Sequence, residues 1–309
     1  MAVRQRRTYE VLLDGVDALD MPLSLLRDLC DLLVEGTQRA TRLAIEGRSV
    51  ARGTAPAWLA SAADLRVGRY ERGSLCLSVS APELHAVAPE AFAQQRLFSR
   101  RLPPDATAFD AFLEAANDAV EGDRDSELLD TGVLEVLART HALSTRGMAS
   151  LRISDSTGRS RVLFDAMSSQ RILALAKDTP TPRVERVSGV LDALTVSSRT
   201  LVLRLDEGKV LRGLAMGATL ETLKALLGAR VAVEGLVTFR PSGDALRIEV
   251  DHAASAVASD TLWARLPHGD AGSPQVAVPQ NTPELQSLFG SWPGEETDDT
   301  LFQALEELS

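Results

Sequence analysis

Few residues of this sequence are spaced for metal chemistry or catalysis. Asp123, Asp125 and Glu127 alternate as the carboxylates of a calcium-binding loop do, but the glycine and the distal glutamate of an EF-hand are missing. We therefore interpret these three acids as a solvated loop. The four histidines have no second ligand nearby in the sequence, so we expect surface or core side chains: His85, His141, His252 and His268.

The known catalytic motifs are also missing. The sequence has no P-loop, no GxGxxG, no HExxH, no GxSxG and no cysteine pair with metal-binding spacing. Such motifs mark nucleotide-binding loops, zinc sites and activated serine nucleophiles. We therefore predict a protein that is not an enzyme, with no catalytic residues, no metal site and no cofactor.

The C-terminal residues 282–309 have the composition of a partner-binding segment. One predicted helix begins after Thr282 and ends at Gly290, and a second begins at Thr297. Each has only one or two apolar turns, so the segment is too short to fold alone and we expect it to fold in a groove of a partner. The side chains predicted to contact that partner are apolar or acidic: Leu285, Leu288, Phe289, Trp292, Glu295, Glu296, Asp298, Asp299, Leu301, Phe302, Leu305 and Leu308.

Residues 288–308, LFGSWPGEETDDTLFQALEEL, resemble the C-terminal neutralising tails of bacterial antitoxins that pair with PIN-domain ribonuclease toxins in type II toxin–antitoxin systems. In those tails a G-x-W-P-G-D-E-T/S-D-E-E turn precedes a short amphipathic helix. The resemblance implies an antitoxin-like protein that binds and silences a PIN-type ribonuclease. Many such tails insert an arginine against the toxin carboxylates. This sequence has no basic residue after Arg265, so inhibition would be steric or act through the basic rim that holds RNA.

Three other interpretations of the sequence stay open. In the first, the acidic tail docks on its own chain. In the second, the protein is a nucleic-acid-binding or regulatory barrel protein with Arg199, Arg240 and Arg247 in a local patch. In the third, it is an enzyme whose site is assembled from residues that are distant in the sequence. Two observations argue against the second interpretation. Phe239 is the only aromatic residue between positions 183 and 251, and the same range contains ten basic and nine acidic residues. Single-strand binding needs stacking aromatics in a basic groove, so we expect only weak DNA or RNA contact.

Charge is distributed unevenly along the chain. The formal net charge is −10, yet residues 251–309 contain ten acids and a single base, Arg265. The acids and bases of residues 1–250 nearly balance. A segregated acidic tail is typical of an interaction element rather than of a folded core.

The elements that would carry this tail fall into two parts. Helical periodicity dominates the first part, where Pro22 to Gly47 predicts one amphipathic helix or two helices broken at Gly36. After Thr179-Pro-Thr-Pro the pattern changes to three strands, a helix and two strands, an order that resembles the OB-fold. We predict an α+β protein with a helix-rich domain (1–178), an OB-like β-barrel (183–255), a linker (256–281) and an extended helical tail (282–309).

The compartment is inferred from composition. No apolar stretch reaches the length of a membrane-spanning helix, and the basic N-terminus lacks the apolar core of a signal peptide. Cys30 and Cys76 lie in apolar periodic segments, where we expect buried free thiols. We therefore predict a cytoplasmic protein with no membrane contact.

Overall fold

The computed structural model describes residues 6–17, 21–51, 53–71, 75–90, 102–103 and 105–270. The first part of the chain contains an antiparallel five-stranded sheet with the strand order β2-β3-β1-β4-β5. Its strands are β1 (Arg6–Asp14), β2 (Arg66–Glu71), β3 (Leu75–Pro82), β4 (Ser150–Asp155) and β5 (Ser160–Asp165). Alternate residues of β1 are buried, namely Tyr9, Val11 and Leu13, so one face of the sheet forms part of the core.

Helices pack on this sheet face and on one another. They are α1 (Leu23–Glu46), α2 (Ala57–Ala62), α3 (Leu84–Val87), α4 (Ala108–Glu121), α5 (Thr131–Leu137), α6 (Arg139–Thr145) and α7 (Ala166–Asp178). A capping box between Thr107 and Asp110 starts α4. Phe109 of α4 packs its ring edge-on against Tyr9, with 4.9 Å between the ring centroids. This helix therefore joins the sheet to the outer helices.

Helix α1 is continuous through Gly36, which decides between the two predicted alternatives. A Cβ atom at Gly36 would lie 2.5 Å from the Cε2 atom of Phe112 in α4. The glycine therefore allows the two helices to approach closely rather than breaking α1. Cys30 lies beside the buried Leu29, on the solvent side of α1, and is exposed, while Cys76 is half-buried. The expectation of two buried thiols is therefore wrong, because the apolar stripe of α1 runs along a face that excludes Cys30.

The second part of the chain is a closed five-stranded barrel with the strand order β10-β8-β7-β6-β9. Its elements are β6 (Arg183–Thr195), β7 (Thr200–Arg204), β8 (Val210–Ala215), α8 (Leu220–Ala225), β9 (Arg230–Phe239) and β10 (Ala245–Ser255). Strands β8 and β10 pair in parallel, and the other neighbouring strands pair antiparallel. Its core, which includes Leu191, Leu203 and Ile248, is separate from that of the first part. The predicted combination of helices, strands and a barrel is confirmed.

The packed chain extends beyond the last barrel strand. Residues Ala258–Trp263 form a 3₁₀ helix, and the amide of Ala245 donates to the carbonyl of Pro267 at 2.9 Å. Residues 256–270, which the sequence analysis assigns to the linker, therefore belong to the described fold. Met1–Ser273 form one compact unit. Among the described residues, the structure has no helix with both the length and the apolar character needed to cross a membrane.

Candidate functional site

The side chains predicted to bind a partner all lie outside the described residues, which end at Asp270. Their role therefore stays a prediction from the sequence. The same applies to the two helices predicted for residues 282–309. The residues concerned are Leu285, Leu288, Phe289, Trp292, Glu295, Glu296, Asp298, Asp299, Leu301, Phe302, Leu305 and Leu308.

Within the described residues, polar and charged groups converge where the barrel meets the first part of the chain, which contains the five-stranded sheet and its helices and is called the helical part below. We call this region the arginine cleft and define it by Arg212, Arg240 and Arg247 of the barrel with Glu127 and Asp130 of the loop 122–130. It contains a cavity of about 130 Å³. The cavity is lined by Leu43, Gly47, Glu127, Val210, Arg212, Arg240, Leu246 and Arg247.

The loop 122–130 is joined to the barrel by one backbone hydrogen bond and one hydrogen bond from a side chain. It begins where Gly122 ends α4 in the left-handed conformation. The amide of Ser242 donates to the Arg124 carbonyl at 2.9 Å, and the Arg124 guanidinium donates to the Pro241 carbonyl at 2.9 Å. The turn between β9 and β10 is thereby fixed to the loop, which sets the position of the acids that follow Arg124.

Asp130 is the most heavily used acid of the cleft. As the N-cap of α5, its Oδ1 accepts a hydrogen bond from the Val133 amide at 2.9 Å. Its Oδ2 accepts one from the Ser49 amide at 3.3 Å and one from Nη2 of Arg247 at 3.4 Å. One buried carboxylate thus caps a helix, binds the chain after α1 and pairs with the barrel.

Arg247 is a buried cation with few hydrogen-bond partners. A register shift between Ala245 and Arg247 places Leu246 in a bulge, from which it packs against the core of the helical part. The Arg247 side chain is only 7% exposed, and this burial lowers the pKa of its guanidinium. Its Nε and Nη1 atoms have no hydrogen-bond partner among the described residues. Asp130 therefore compensates the charge of Arg247 only in part.

Two further arginines share one acid at the mouth of the cavity. Nη1 of Arg212 lies 3.2 Å from Oε2 of Glu127, and Nη2 of Arg240 lies 3.7 Å from Oε1 of the same carboxylate. The Nε atom of Arg240 has no hydrogen-bond partner in the described part of the chain. The interpretation of Glu127 as part of a solvated loop therefore needs correction, because it faces these arginines.

Gly47 positions the chain that closes the other side of the cleft. It ends α1 with φ +75°, a left-handed conformation that other residues rarely adopt. The following residue, Arg48, lies 3.5 Å from Glu46 and 3.8 Å from Glu249, measured between guanidinium nitrogen and carboxylate oxygen. The chain after α1 thus carries a cation of its own, Arg48, which is paired with these two acids.

Arginines elsewhere on the barrel lie close to individual acids. The nitrogen–oxygen distances are 2.8 Å for Arg186–Asp260, 2.7 Å for Arg230–Asp206, 2.6 Å for Arg183–Glu185 and 3.3 Å for Arg204–Asp192. Of the patch considered in the sequence analysis, Arg240 and Arg247 line one cavity. Arg199 is not among the lining residues and donates to the Ala218 carbonyl at 3.4 Å.

Asp123, Asp125 and Glu127 do not form a cation site in the described structure. Asp123 and Asp125 are exposed, as the sequence analysis expects, and Asp123 accepts a hydrogen bond from the Asp125 amide at 3.0 Å. Among the described residues, no group of three or more His, Cys, Asp or Glu side chains could hold a metal ion. His268 instead lies 3.1 Å from Asp244, measured from Nδ1 to Oδ1.

Comparison with known proteins gives no family assignment: no protein-family model, curated protein or solved structure matches the chain.

Proposed function

We propose that this protein is an antitoxin-like binding protein that silences a PIN-type ribonuclease through its acidic C-terminal segment, residues 282–309. The observation that carries the proposal is the sequence of residues 288–308, in which a Gly-Ser-Trp-Pro-Gly turn is followed by acids and a short amphipathic pattern. The protein itself has no catalytic role in this proposal. We expect it to act in the bacterial cytoplasm, where its RNA-cleaving partner would work.

The chemistry of the segment supports a protein groove as its target. Trp292 and Phe302 are large aromatic anchors, the residue class that dominates binding energy in protein interfaces. Acids surround them, and a ribonuclease must present a basic surface to hold RNA phosphates. Opposite charges would accelerate association, and the aromatic side chains would hold the complex together.

We assign the body of the protein a scaffolding role and its barrel to the OB-like class. The helix α8 between the third and fourth barrel strands and the parallel pairing of β8 with β10 support this assignment. Phe239, the one aromatic residue of the barrel strands, is fully buried, and the guanidinium carbon of Arg183 lies 5.2 Å from its ring centre. A base could not stack on Phe239, which favours a protein-binding role over single-strand binding.

The test is rescue of growth when the full chain is co-expressed with a PIN-domain ribonuclease encoded beside it. Trp292→Ala or Phe302→Ala should each weaken binding by about 2 kcal/mol or more, roughly thirtyfold, and abolish rescue. The matched control is Leu262→Ala, an apolar residue of the body that is 78% exposed. Rescue by both aromatic variants at the level of this control would refute the proposal.

Charge reversal separates the effect of the tail acids on the association rate from the effect of the aromatic residues on the stability of the complex. Asp298→Lys with Asp299→Lys should slow association at low salt, and the difference should shrink as salt rises, because the acids act through a screened field. The control reverses Asp192 and Glu207, two exposed acids of the barrel, and changes the net charge by the same amount. Equal slowing by both pairs would show that net charge alone, and not the tail, steers the partner.

A further inference from the structure

We propose that the cavity of the arginine cleft is a binding site for a phosphate group, either inorganic phosphate or the phosphate of a small phosphomonoester. Arg212 and Arg240 would donate to the phosphate oxygens at the mouth of the cavity. Arg247 would contribute its charge from the cavity wall. This site is independent of the tail and of the ribonuclease partner proposed above.

The first argument is the balance of charge around the cavity. Arg212, Arg240 and Arg247 line it, and Glu127 is the one acid among the described lining residues. Glu127 is shared by two of these arginines, at 3.2 Å from Arg212 and 3.7 Å from Arg240. Cations therefore exceed acids on the cavity wall, and an anion bound there would restore the balance.

The second argument is that the two acids near Arg247 already bind other groups of the protein. Asp130 accepts hydrogen bonds from two backbone amides, of Val133 and Ser49, besides its long bond to Arg247. Glu249 lies 3.8 Å from Arg48. Neither acid is committed to Arg247 alone, so the cleft has no dedicated counter-charge for its most buried cation.

The third argument is the set of unused donors. Nε and Nη1 of Arg247 and Nε of Arg240 are buried without a hydrogen-bond partner in the described residues. A buried donor without an acceptor costs about 1–3 kcal/mol, more for a charged group. Such a cost persists where function requires it, and an anion in the cavity would lower the energy of the buried guanidinium.

The size and lining of the cavity select the ligand. A volume of about 130 Å³ admits a phosphate group. The apolar lining residues Leu43, Val210 and Leu246 are aliphatic, so they offer no aromatic surface on which a base could stack. Planar guanidinium groups bind phosphate in a bidentate manner, which favours phosphate over a spherical anion such as chloride.

Isothermal titration calorimetry of the full chain with inorganic phosphate, methyl phosphate and acetate tests the proposal. We expect saturable binding of one phosphate or methyl phosphate and much weaker binding of acetate. Arg240→Gln and Arg212→Gln should each weaken phosphate binding by about tenfold or more, the effect of losing one charge-assisted hydrogen bond. The control Arg204→Gln removes an exposed arginine paired with Asp192 and should leave the affinity unchanged.

Two controls keep the result interpretable. The first is Arg240→Lys, which retains the charge and should keep the fold but lose bidentate binding of phosphate. The second is the melting temperature of each variant, which identifies any variant that fails to fold. Three results would overturn the proposal: no saturable phosphate binding, equal affinity in Arg240→Gln, Arg212→Gln and Arg204→Gln, or tight binding of a single-stranded oligonucleotide that phosphate does not displace.

Discussion

Several arginines on the outside of the barrel each pair with a separate acid, whereas the arginines of the cleft pair with acids that also bind other groups. Outside, Arg230 and Arg204 lie close to Asp206 and Asp192 in exposed ion pairs. In the cleft, two arginines share Glu127, and Arg247 has a long bond to an acid that also binds two amides. Exposed pairs contribute little to stability because water solvates both charges, whereas removing the acid that pairs with a buried cation is strongly destabilising. Charge in the cleft should therefore contribute more to stability than charge on the outside of the barrel.

The largest effect should follow from removing Asp130, the buried acid of the cleft. Asp130→Ala removes the acid that is hydrogen-bonded to the buried Arg247 and removes the N-cap of α5, so we expect a loss of about 3–5 kcal/mol in the free energy of unfolding. Denaturant unfolding measures it. Asp192→Ala, which breaks an exposed pair, should cost about 1 kcal/mol at most. Equal losses would remove the distinction between the two regions.

A double-mutant cycle should separate the ion pair from the helix cap. Asp130→Asn keeps a good capping side chain but removes the charge, so it should still destabilise the protein. Adding Arg247→Met removes the buried cation as well, and the double variant should be more stable than Asp130→Asn alone. Additive losses from the two substitutions would show that Asp130 and Arg247 do not interact.

A smaller effect is expected at the mouth of the cavity. Glu127→Gln removes the acid shared by Arg212 and Arg240, whose side chains are partly exposed, so the free energy of unfolding should fall by about 1 kcal/mol. The same change leaves the cavity more positive. If the cavity binds phosphate, calorimetry should show a severalfold gain in affinity. A loss of phosphate affinity would mean that Glu127 holds the arginines in place rather than competing with the ligand.

The smallest effect concerns an exposed pair and its dependence on pH. The hydrogen bond from Arg230 lowers the pKa of Asp206 below its usual value. Stabilisation from a carboxyl with a lowered pKa is fully present above the unfolded-state pKa, about 3.9, and is lost as the pH falls through the folded-state pKa. Arg230→Gln should therefore be slightly less stable than the native chain at pH 7 and equal to it in strong acid. A difference that persists in strong acid would have another cause.

The sequence predicts the elements better than it predicts the cleft. The barrel strands follow from alternating apolar residues between turn residues, signals that are local. Alternating residues predict a strand over 75–80 but none over 66–71, where β2 pairs with β3 in a register that is irregular between Val67 and Tyr70. The apolar spacing of residues 128–143 predicts one helix from Leu128, whereas α5 begins at Thr131 with Asp130 as its N-cap. A helix that starts at Leu128 would contain Asp130, so the pattern does not show that this acid is a cap.

The contacts that make the cleft have no local signal. Asp130 and Arg247 are 117 residues apart, and only the docking of the barrel on the loop 122–130 brings them together. Arg240 and Arg247 stand out in the sequence as members of a basic patch, but the burial of Arg247 depends on the tertiary fold. Its unpaired donors could be recognised only once the positions of the surrounding groups were known.

The end of the sequence also has an excess of charge, in this case acidic. Residues 251–309 contain ten acids and the single base Arg265. Most exposed arginines among the described residues lie close to acids of the body. The acidic surplus of the tail therefore fits an external basic surface, as in the proposed ribonuclease complex.

The measurement that tests this central claim most directly compares the full chain with a chain ending at Ser273, the limit of the compact unit. Both are titrated with the PIN-type ribonuclease while RNA cleavage and melting temperature are recorded. We expect the full chain to bind and inhibit the enzyme, and the shortened chain to lose affinity by roughly a hundredfold or more, since several anchors are removed at once. Both chains should melt at the same temperature. Inhibition of RNA cleavage by the shortened chain at the level of the full chain would contradict the claim that residues 282–309 are the inhibitor.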